Sequence, residues 1–196
     1  MSNISHTSGW TLQSDWLPEA SATALFEALR DSLPWSQHRL RMFGREIDAP
    51  RLSCWIGDPG ATYRYSGTTF SPHPWPEVLR PVLASVSRAA GVGFNSVLAN
   101  LYRDGRDAMG WHSDDEPELG PRPVIASLSL GATRRFLLKA RQPVGAGGVE
   151  RLALALGHGS LLLMRGETQG RYRHALPRTA RPVGPRINLT FRKIQR

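Results

Sequence analysis

The sequence predicts a mainly β fold of the α+β class, a barrel or jelly roll with two helices packed outside it. From Phe94 onward, apolar and polar residues alternate with a period of two, which is typical of half-buried strands. Gly, Pro or Asp stands in every gap between these segments. Helical periodicity occurs only in two segments that precede Phe94. Many short strands separated by turn residues favour a closed or double-sheet β architecture.

The two predicted helices are Leu17–Leu33 and Trp75–Ala90. Each is preceded or opened by a proline, Pro18 and Pro76, a residue that suits the first turn of a helix. Apolar residues recur on one face of each helix, as packing against a sheet requires. The segment between them, residues 39–65, is broken by Gly and Pro and is expected to form short strands and loops.

The later part of the chain is expected to supply the strands of the barrel. The predicted strands are Ser96–Arg103, Val124–Leu130, Arg135–Lys139, Arg151–Leu156, Ser160–Met164, Arg171–Ala175 and Arg186–Lys193. The glycine-rich stretch 142–149 is expected to be a hairpin tip.

The length of 196 residues suits one domain, residues 1–196. The first dozen residues are expected to form a frayed terminus, of which residues 1–10 are flexible. The chain holds no apolar run of the length that a membrane helix needs, so we expect no membrane partner and a cytoplasmic monomer, near the nucleoid if the source is bacterial. The single cysteine, Cys54, excludes an internal disulfide and a multi-cysteine zinc site.

The charge balance favours a polyanionic partner. The chain has 25 Lys and Arg against 16 Asp and Glu, a formal net charge of +9. A positive excess of this size attracts nucleic acid, although it also serves solubility. Any metal chemistry must depend on His, Asp and Glu, because cysteine ligands are lacking.

A candidate metal site begins at His112 and Asp114. In an extended segment, residues two apart lie on the same side, so both side chains can reach one ion. His174, in a predicted strand, is a candidate third ligand. Two imidazoles and one carboxylate leave three positions of an ion open, which suits non-haem iron(II) and oxygen chemistry. A His-x-Asp pair alone is weak evidence, and a core histidine is the simpler interpretation of His174.

Two predicted strands have a polar face opposite an apolar one. On the last strand, one face carries Arg186, Asn188, Thr190 and Arg192, and the strand from Ser96 places Asn100 and Tyr102 on one face. If both polar faces line the interior of the barrel, fixed cations, amides and a phenol lie beside the metal. Such a set suits a small dicarboxylate, although a solvated outer face has the same periodicity.

These residues, taken as an ordered set, resemble the signature of AlkB-type Fe(II)- and 2-oxoglutarate-dependent dioxygenases, and in particular the animal homologues that repair duplex and single-stranded DNA. The resemblance runs from about residue 51 to residue 194, and its strongest pieces are NLYRDG, WHSDDEPELG, IASLSLGATRRF and PRINLTFRKI. It implies a double-stranded β-helix, the jelly roll that the strand pattern also favours. It also implies that residues 35–70 form a nucleotide-recognition region.

The resemblance further implies the role of each site residue. His112, Asp114 and His174 would hold Fe(II), and Arg186 with Tyr102 would hold the distal carboxylate of 2-oxoglutarate. Asn188 would assist, and Asn100 and Arg192 would face the end that chelates iron. The implied reaction uses O2 to oxidise an N-linked methyl group on DNA bases such as 1-methyladenine and 3-methylcytosine. Its products are succinate, formaldehyde and the repaired base.

Substrate contacts are also implied by the resemblance. Arg51 and Tyr63 match positions that line the base pocket, and Asp115 and Glu116 can meet the positive charge of a lesion methylated at a ring nitrogen. Phe43, between arginines, resembles the finger that enters a duplex, whereas WHSDDEPELG resembles the homologue that prefers single strands. Strandedness, and the choice between DNA and RNA, therefore stay open.

Two other functions fit parts of the sequence. The same metal chemistry could serve a protein or a small metabolite, against which stand the +9 charge and the adjacent acids Asp115 and Glu116. A catalytically silent nucleic-acid-binding module is the alternative of another class. Against that alternative stands the complete set of motif residues.

Overall fold

A computed structural model describes residues 3–6, 9–42, 45–65, 68–143 and 148–195. Two antiparallel sheets dominate it. The large sheet has seven strands in the order β1-β2-β13-β10-β15-β8-β5. In chain order these are β1 (Asn3–His6), β2 (Trp10–Gln13), β5 (Leu52–Gly57), β8 (Ser96–Tyr102), β10 (Ile125–Gly131), β13 (Ser160–Met164) and β15 (Arg186–Arg192).

The small sheet has four strands in the order β12-β11-β14-β9. These are β9 (Met109–His112), β11 (Arg134–Ala140), β12 (Arg151–Leu156) and β14 (Tyr172–Leu176). Because consecutive strands alternate between the two sheets along much of the chain, the fold is a jelly roll. The prediction of a mainly β fold is confirmed, and each predicted strand is present within about two residues of its expected bounds.

Two short ribbons lie outside these sheets. One pairs β3 (Arg39–Met42) with β4 (Arg45–Asp48), and the other pairs β6 (Tyr63–Tyr65) with β7 (Thr68–Phe70). Between them in sequence, β5 pairs with β8 in the large sheet. Residues 35–70 are therefore not one separate insertion, because their middle strand belongs to the main sheet.

Two helices pack on the outer face of the large sheet, α1 (Glu19–Ser32) and α2 (Arg80–Ala90), which follows a 3-10 turn over Glu77–Leu79. A short third helix, α3 (Thr168–Arg171), instead contacts β14 of the small sheet. The predicted second helix thus begins later than expected, since its first turn is 3-10. None of the described helices has the length and apolarity that a bilayer crossing requires.

The protein has two hydrophobic cores, one on each side of the large sheet. The outer core joins Leu25 and Leu29 of α1 and Val86 of α2 to the apolar face of β15. The inner core joins Ile125 and Leu162 of the large sheet to small-sheet residues such as Phe136, Leu138 and Leu154. β15 thus turns its apolar face to the helices and its polar face to the small sheet.

The beginning of the chain corrects one prediction. Residues 10–13 form β2, which pairs with β13, whereas the sequence led us to expect a frayed end. Trp10 and Leu12 are 3% and 2% exposed, and both belong to the inner core. The strand is only four residues long and too short to show a period, which is why its pattern was uninformative.

Candidate metal centre

Two strands of the small sheet bring the candidate ligands together. His112 ends β9, His174 lies in β14, and the two are register partners with ring centroids 4.2 Å apart. Asp114 follows two residues after His112. One ligand atom from each of the three residues lies within 4.8 Å of the others. The structure therefore gathers two imidazoles and one carboxylate around one point.

A backbone hydrogen bond orients the ring of His112. Its Nδ1 lies 2.8 Å from the carbonyl oxygen of Gly110. A carbonyl can only accept, so Nδ1 carries the proton and Nε2 keeps its lone pair. Histidine ligands of metals are commonly fixed in this way.

Asp114 is buried and held at two points. Its carboxylate Oδ1 accepts a 2.6 Å hydrogen bond from Arg192, while its main-chain N–H donates to the side-chain oxygen of Gln169 at 2.9 Å. Burial alone would raise the pKa of this carboxyl, but the positive charge of Arg192 and the nearby His174 and His112 hold that pKa well below its usual range. The carboxylate is therefore ionised, as a metal ligand must be.

His174 is 4% exposed, and its ring stacks on Phe136 with centroids 5.2 Å apart. Burial, and then His112, lower the pKa of His174 to about 3. Its Nε2 lies 3.9 Å from Oδ2 of Asp114. The ring is thus neutral at pH 7, and a neutral imidazole is the form that binds metals.

The polar face of β15 lies beside that of its neighbour β8, on the same side of the large sheet. The register pairs Arg186 with Tyr102 and Asn188 with Asn100, and all four residues line one cavity with the metal triad. Arg186 donates from Nη2 to Ser129 at 2.9 Å, while its buried Nε and Nη1 have no hydrogen-bond partner among the described residues. Burial lowers the pKa of Arg186 to about 10, so at pH 7 it remains a cation.

This donor set fits an iron ion with a dicarboxylate. The triad offers the two-histidine, one-carboxylate set that suits non-haem iron(II). Buried N–H groups without an acceptor are costly, and the forked geometry of Arg186 suits one end of a dicarboxylate.

The structure brings the predicted substrate residues less close together than the predicted metal ligands. Arg51 is buried, and its Nε donates to Asn100 at 2.9 Å, so it supports the polar face of β8. Asp115 follows the ligand Asp114 directly, is half-exposed, and accepts a hydrogen bond from Arg141. Glu116 precedes the 3-10 turn Pro117–Leu119.

The other two predicted substrate residues belong to the ribbons. Tyr63 begins β6, where it pairs with Phe70. Phe43 lies outside the described residues.

The structure also reveals residues that the sequence analysis missed. Gln169 holds Asp114, as described above, and Arg141 donates to Ser113 at 2.7 Å. Buried Arg134 donates to the carbonyls of Asp104, Asp107 and Pro177 beside the cavity. The sequence does contain a signal for Arg134, because this residue alternates in step with Phe136 and Leu138, which point inward. Gln169 had none, since it lies in a four-residue helix.

Comparison with known proteins decides between the remaining metal chemistries. A family model for the 2OG-Fe(II) oxygenase superfamily matches residues 9–192. The human protein named DNA oxidative demethylase ALKBH2 is 41% identical over 182 residues, which cover 90% of this chain and 70% of the relative. The chain belongs to the AlkB-type 2OG-Fe(II) oxygenases. The donor set described above fits the iron(II) and 2-oxoglutarate for which this oxygenase superfamily is named.

Other relatives support the same family assignment. The bovine alpha-ketoglutarate-dependent dioxygenase alkB homolog 3 is 42% identical over 178 residues, which cover 88% of this chain. This AlkB-type chain spans about 62% of the length of that relative. The structure titled "The structure of OsALKBH1" covers 98% of this chain and is itself covered completely, with a TM-score of 0.64 at 16% identity.

A second solved structure, a prolyl-4-hydroxylase from Pseudomonas putida, has a TM-score of 0.60 at 20% identity, and the match covers 96% of this chain and 95% of the hydroxylase. At these identities, the two solved structures support the jelly-roll fold alone.

Proposed function

We propose that this chain demethylates N-alkylated bases of the 1-methyladenine and 3-methylcytosine type in DNA. In the reaction, 2-oxoglutarate, O2 and an N-methyl group give succinate, CO2 and an N-hydroxymethyl group. The N–C bond of that group then breaks with its electron pair going to the ring nitrogen, and the hydroxyl proton is lost to solvent, which restores the unmethylated base and releases formaldehyde. The observation that carries the proposal is the convergence of the triad and the Arg186 face in one cavity, in a chain about 41% identical to named DNA demethylases.

The triad would hold Fe(II) through Nε2 of His112, a carboxylate oxygen of Asp114 and His174. Bound iron with 2-oxoglutarate supplies the oxidation of a C–H bond by O2. Arg192 occupies Oδ1 of Asp114, which leaves Oδ2, on the side of His174, for the metal. The Arg192 contact thereby fixes which carboxylate oxygen serves as ligand.

Arg186 would bind the distal carboxylate of 2-oxoglutarate through guanidinium N–H groups that have no acceptor among the described residues, with Tyr102 beside it on the neighbouring strand. Asn188 is held by Ser127 and the Leu128 carbonyl at 2.8 and 3.1 Å, so it forms a fixed wall beside the co-substrate. Burial strengthens these polar contacts because water is excluded.

The methylated base must leave its stack to reach this cavity. Asp115, next to the ligand Asp114, supplies a carboxylate for a cationic base, and Arg141 holds that carboxylate in place. We place Glu116, Tyr63, Arg51 and Phe43 in the surrounding recognition region as a proposal from the family resemblance. The chain is further proposed to act as a cytoplasmic monomer, with RNA as a second substrate to be compared with DNA.

The test is formaldehyde and succinate release from single-stranded and duplex oligonucleotides that carry one 1-methyladenine, in DNA and in RNA. His112→Ala and Asp114→Ala should abolish release, whereas His73→Ala, a matched change at an exposed histidine, should not. Arg186→Gln should raise the KM for 2-oxoglutarate far more than it changes the KM for the oligonucleotide. Iron-dependent succinate formation without formaldehyde from any oligonucleotide would instead indicate a different substrate.

A further inference from the structure

The outer face of the small sheet carries a row of three cations, of which Arg151 and Arg173 are exposed and Lys139 is half-buried. The register pairs Arg151 with Lys139 and Lys139 with Arg173, so the three side chains cross three neighbouring strands on one face. Neighbouring strands lie about 4.8 Å apart, which sets the spacing of the row. Along β11 and β14, the flanking residues Leu138, Ala140 and His174 are buried, which confirms that the cations face outward.

None of the three cations makes an ion pair with a described acidic side chain. The neighbouring Arg141 differs, since it lies in the same groove as Lys139 and Arg173 but is paired with Asp115. Clustered like charges repel one another, and an anionic partner relieves that repulsion. The row therefore fits a ligand with negative charges repeated along its length.

An exposed tryptophan lies beside this row. Trp111 of β9 is 47% exposed, and with Lys139 and Arg173 it lines a surface groove of about 430 Å³. The flat face of an exposed indole ring suits stacking by an unpaired nucleobase. A base in a duplex already stacks on its neighbours, so this platform favours a single strand.

The groove is next to the metal centre but on the other side of the sheet. Trp111 immediately precedes His112, and alternation along β9 sends the two side chains to opposite faces. β9 is also the edge strand of the small sheet. A nucleic-acid strand that leaves the metal cavity can therefore pass around this edge without crossing another β-strand.

We propose that the groove formed by Trp111, Lys139 and Arg173, extended by Arg151, binds the single-stranded nucleic acid that flanks the target base. One flanking base stacks on Trp111, and the following phosphates lie along the cations. The inference rests on the proposed function for the identity of the strand. It adds a second contact region outside the metal cavity and favours single-stranded over duplex substrate.

The test is equilibrium binding of an unmethylated, fluorescent 12-nucleotide single strand to the full chain at several salt concentrations. The double variant Lys139→Ala/Arg173→Ala should reduce the slope of log affinity against log salt by about 1.4, because each phosphate contact contributes about 0.7. The matched control is Arg80→Ala/Arg88→Ala, which removes two exposed arginines from α2 on the far side of the molecule and should leave the slope nearly unchanged.

Trp111→Ala should weaken binding at least about fivefold at every salt concentration, whereas Trp111→Phe, which keeps a stacking face, should recover most of it. Unchanged Mn(II) binding in both variants would show that neighbouring His112 is intact. Equal loss in the α2 control, or wild-type affinity in the groove variants, would overturn the proposal. Equally tight binding of poly-glutamate that is insensitive to Trp111→Ala would also overturn it, in favour of an acidic protein.

The proposal and the proposed function can fail separately. In one outcome, the groove variants lose binding while the wild-type protein releases no formaldehyde from any methylated oligonucleotide. That outcome would support the proposed groove and reject demethylation. Normal demethylation with unaltered binding by the groove variants would reject the groove alone.

Discussion

At the scale of single residues, the metal ligands depend on neighbours that do not touch the metal themselves. Asp114 is the clearest case, because Arg192 fixes its carboxylate and Gln169 fixes its main chain. Gln169 is 1% exposed, and its own amide nitrogen lies 3.5 Å from the sulfur of Met164. Such supporting contacts commonly change metal affinity by about 10- to 100-fold when they are removed.

We therefore expect Gln169→Met to weaken metal binding by about tenfold or more, because the buried N–H of Asp114 loses its acceptor. The measurement is a Mn(II) titration of the metal-free protein. Thr168→Val is the matched control, since it removes a 2.7 Å hydrogen bond to Arg165 from the same short helix without touching Asp114. Equal Mn(II) affinity in wild type and Gln169→Met would show that Gln169 does not position the ligand.

A second residue governs stability in acid. Burial would raise the pKa of Asp107, but hydrogen bonds from the side chain and main chain of Arg103 outweigh it and hold that pKa below the ordinary 3.8. Since the folded-state pKa is the lower one, this contribution to stability is complete above pH 3.8 and is lost as the pH falls through the folded value.

We expect the unfolding free energy of wild type to fall more steeply below about pH 4 than that of Asp107→Asn, which cannot titrate. Urea unfolding between about pH 5 and pH 3 measures the difference, and parallel curves for the two proteins would contradict it.

At the scale of elements, the sequence predicted most of the strands that build the site. The alternation in β15 and β8 is long enough to separate two faces, so Arg186, Asn188 and Tyr102 could be placed together before their register was known. Several short strands were not predicted, among them β9 and β2. β9 has four residues and pairs irregularly with β14, and β2 also has only four residues. Their existence depends on partners that lie far away in sequence, which no local pattern contains.

The contribution of β2 can be measured. Leu12→Ala should lower the unfolding free energy by about 2–5 kcal/mol, because Leu12 is a buried member of the inner core. Thr11→Ala, at the neighbouring and less buried position, should change it by no more than about 0.5 kcal/mol. If both variants unfold like wild type in urea, the beginning of the chain is frayed after all.

At the scale of the whole molecule, a rigid outer core supports a polar inner chamber. The helices cover one face of the large sheet with apolar contacts. The other face of β15 can therefore carry the polar residues Arg186, Asn188 and Arg192, although β15 is buried throughout. This division explains why the sequence predicts the residues that line the chamber but not the contacts outside it. The chamber is encoded by regular alternation, whereas Arg141 and Asp115 meet through loops and strand ends whose contacts follow from the tertiary fold.

The pairing of Asp114 with Arg192 has a further consequence for charge neutrality. These two charges cancel, and with His174 neutral, Arg186 remains a buried cation that lines the chamber and makes no ion pair with a described acidic side chain. A divalent metal alone adds positive charge to that cation, and a dianion alone reverses its sign. Together the metal and the dianion cancel, so each should increase the affinity of the other. By reciprocity the two increases must be equal, which titrations of Mn(II) with and without 2-oxoglutarate, and of 2-oxoglutarate with and without Mn(II), will measure. Independent binding of the two would show that the chamber does not sense its net charge.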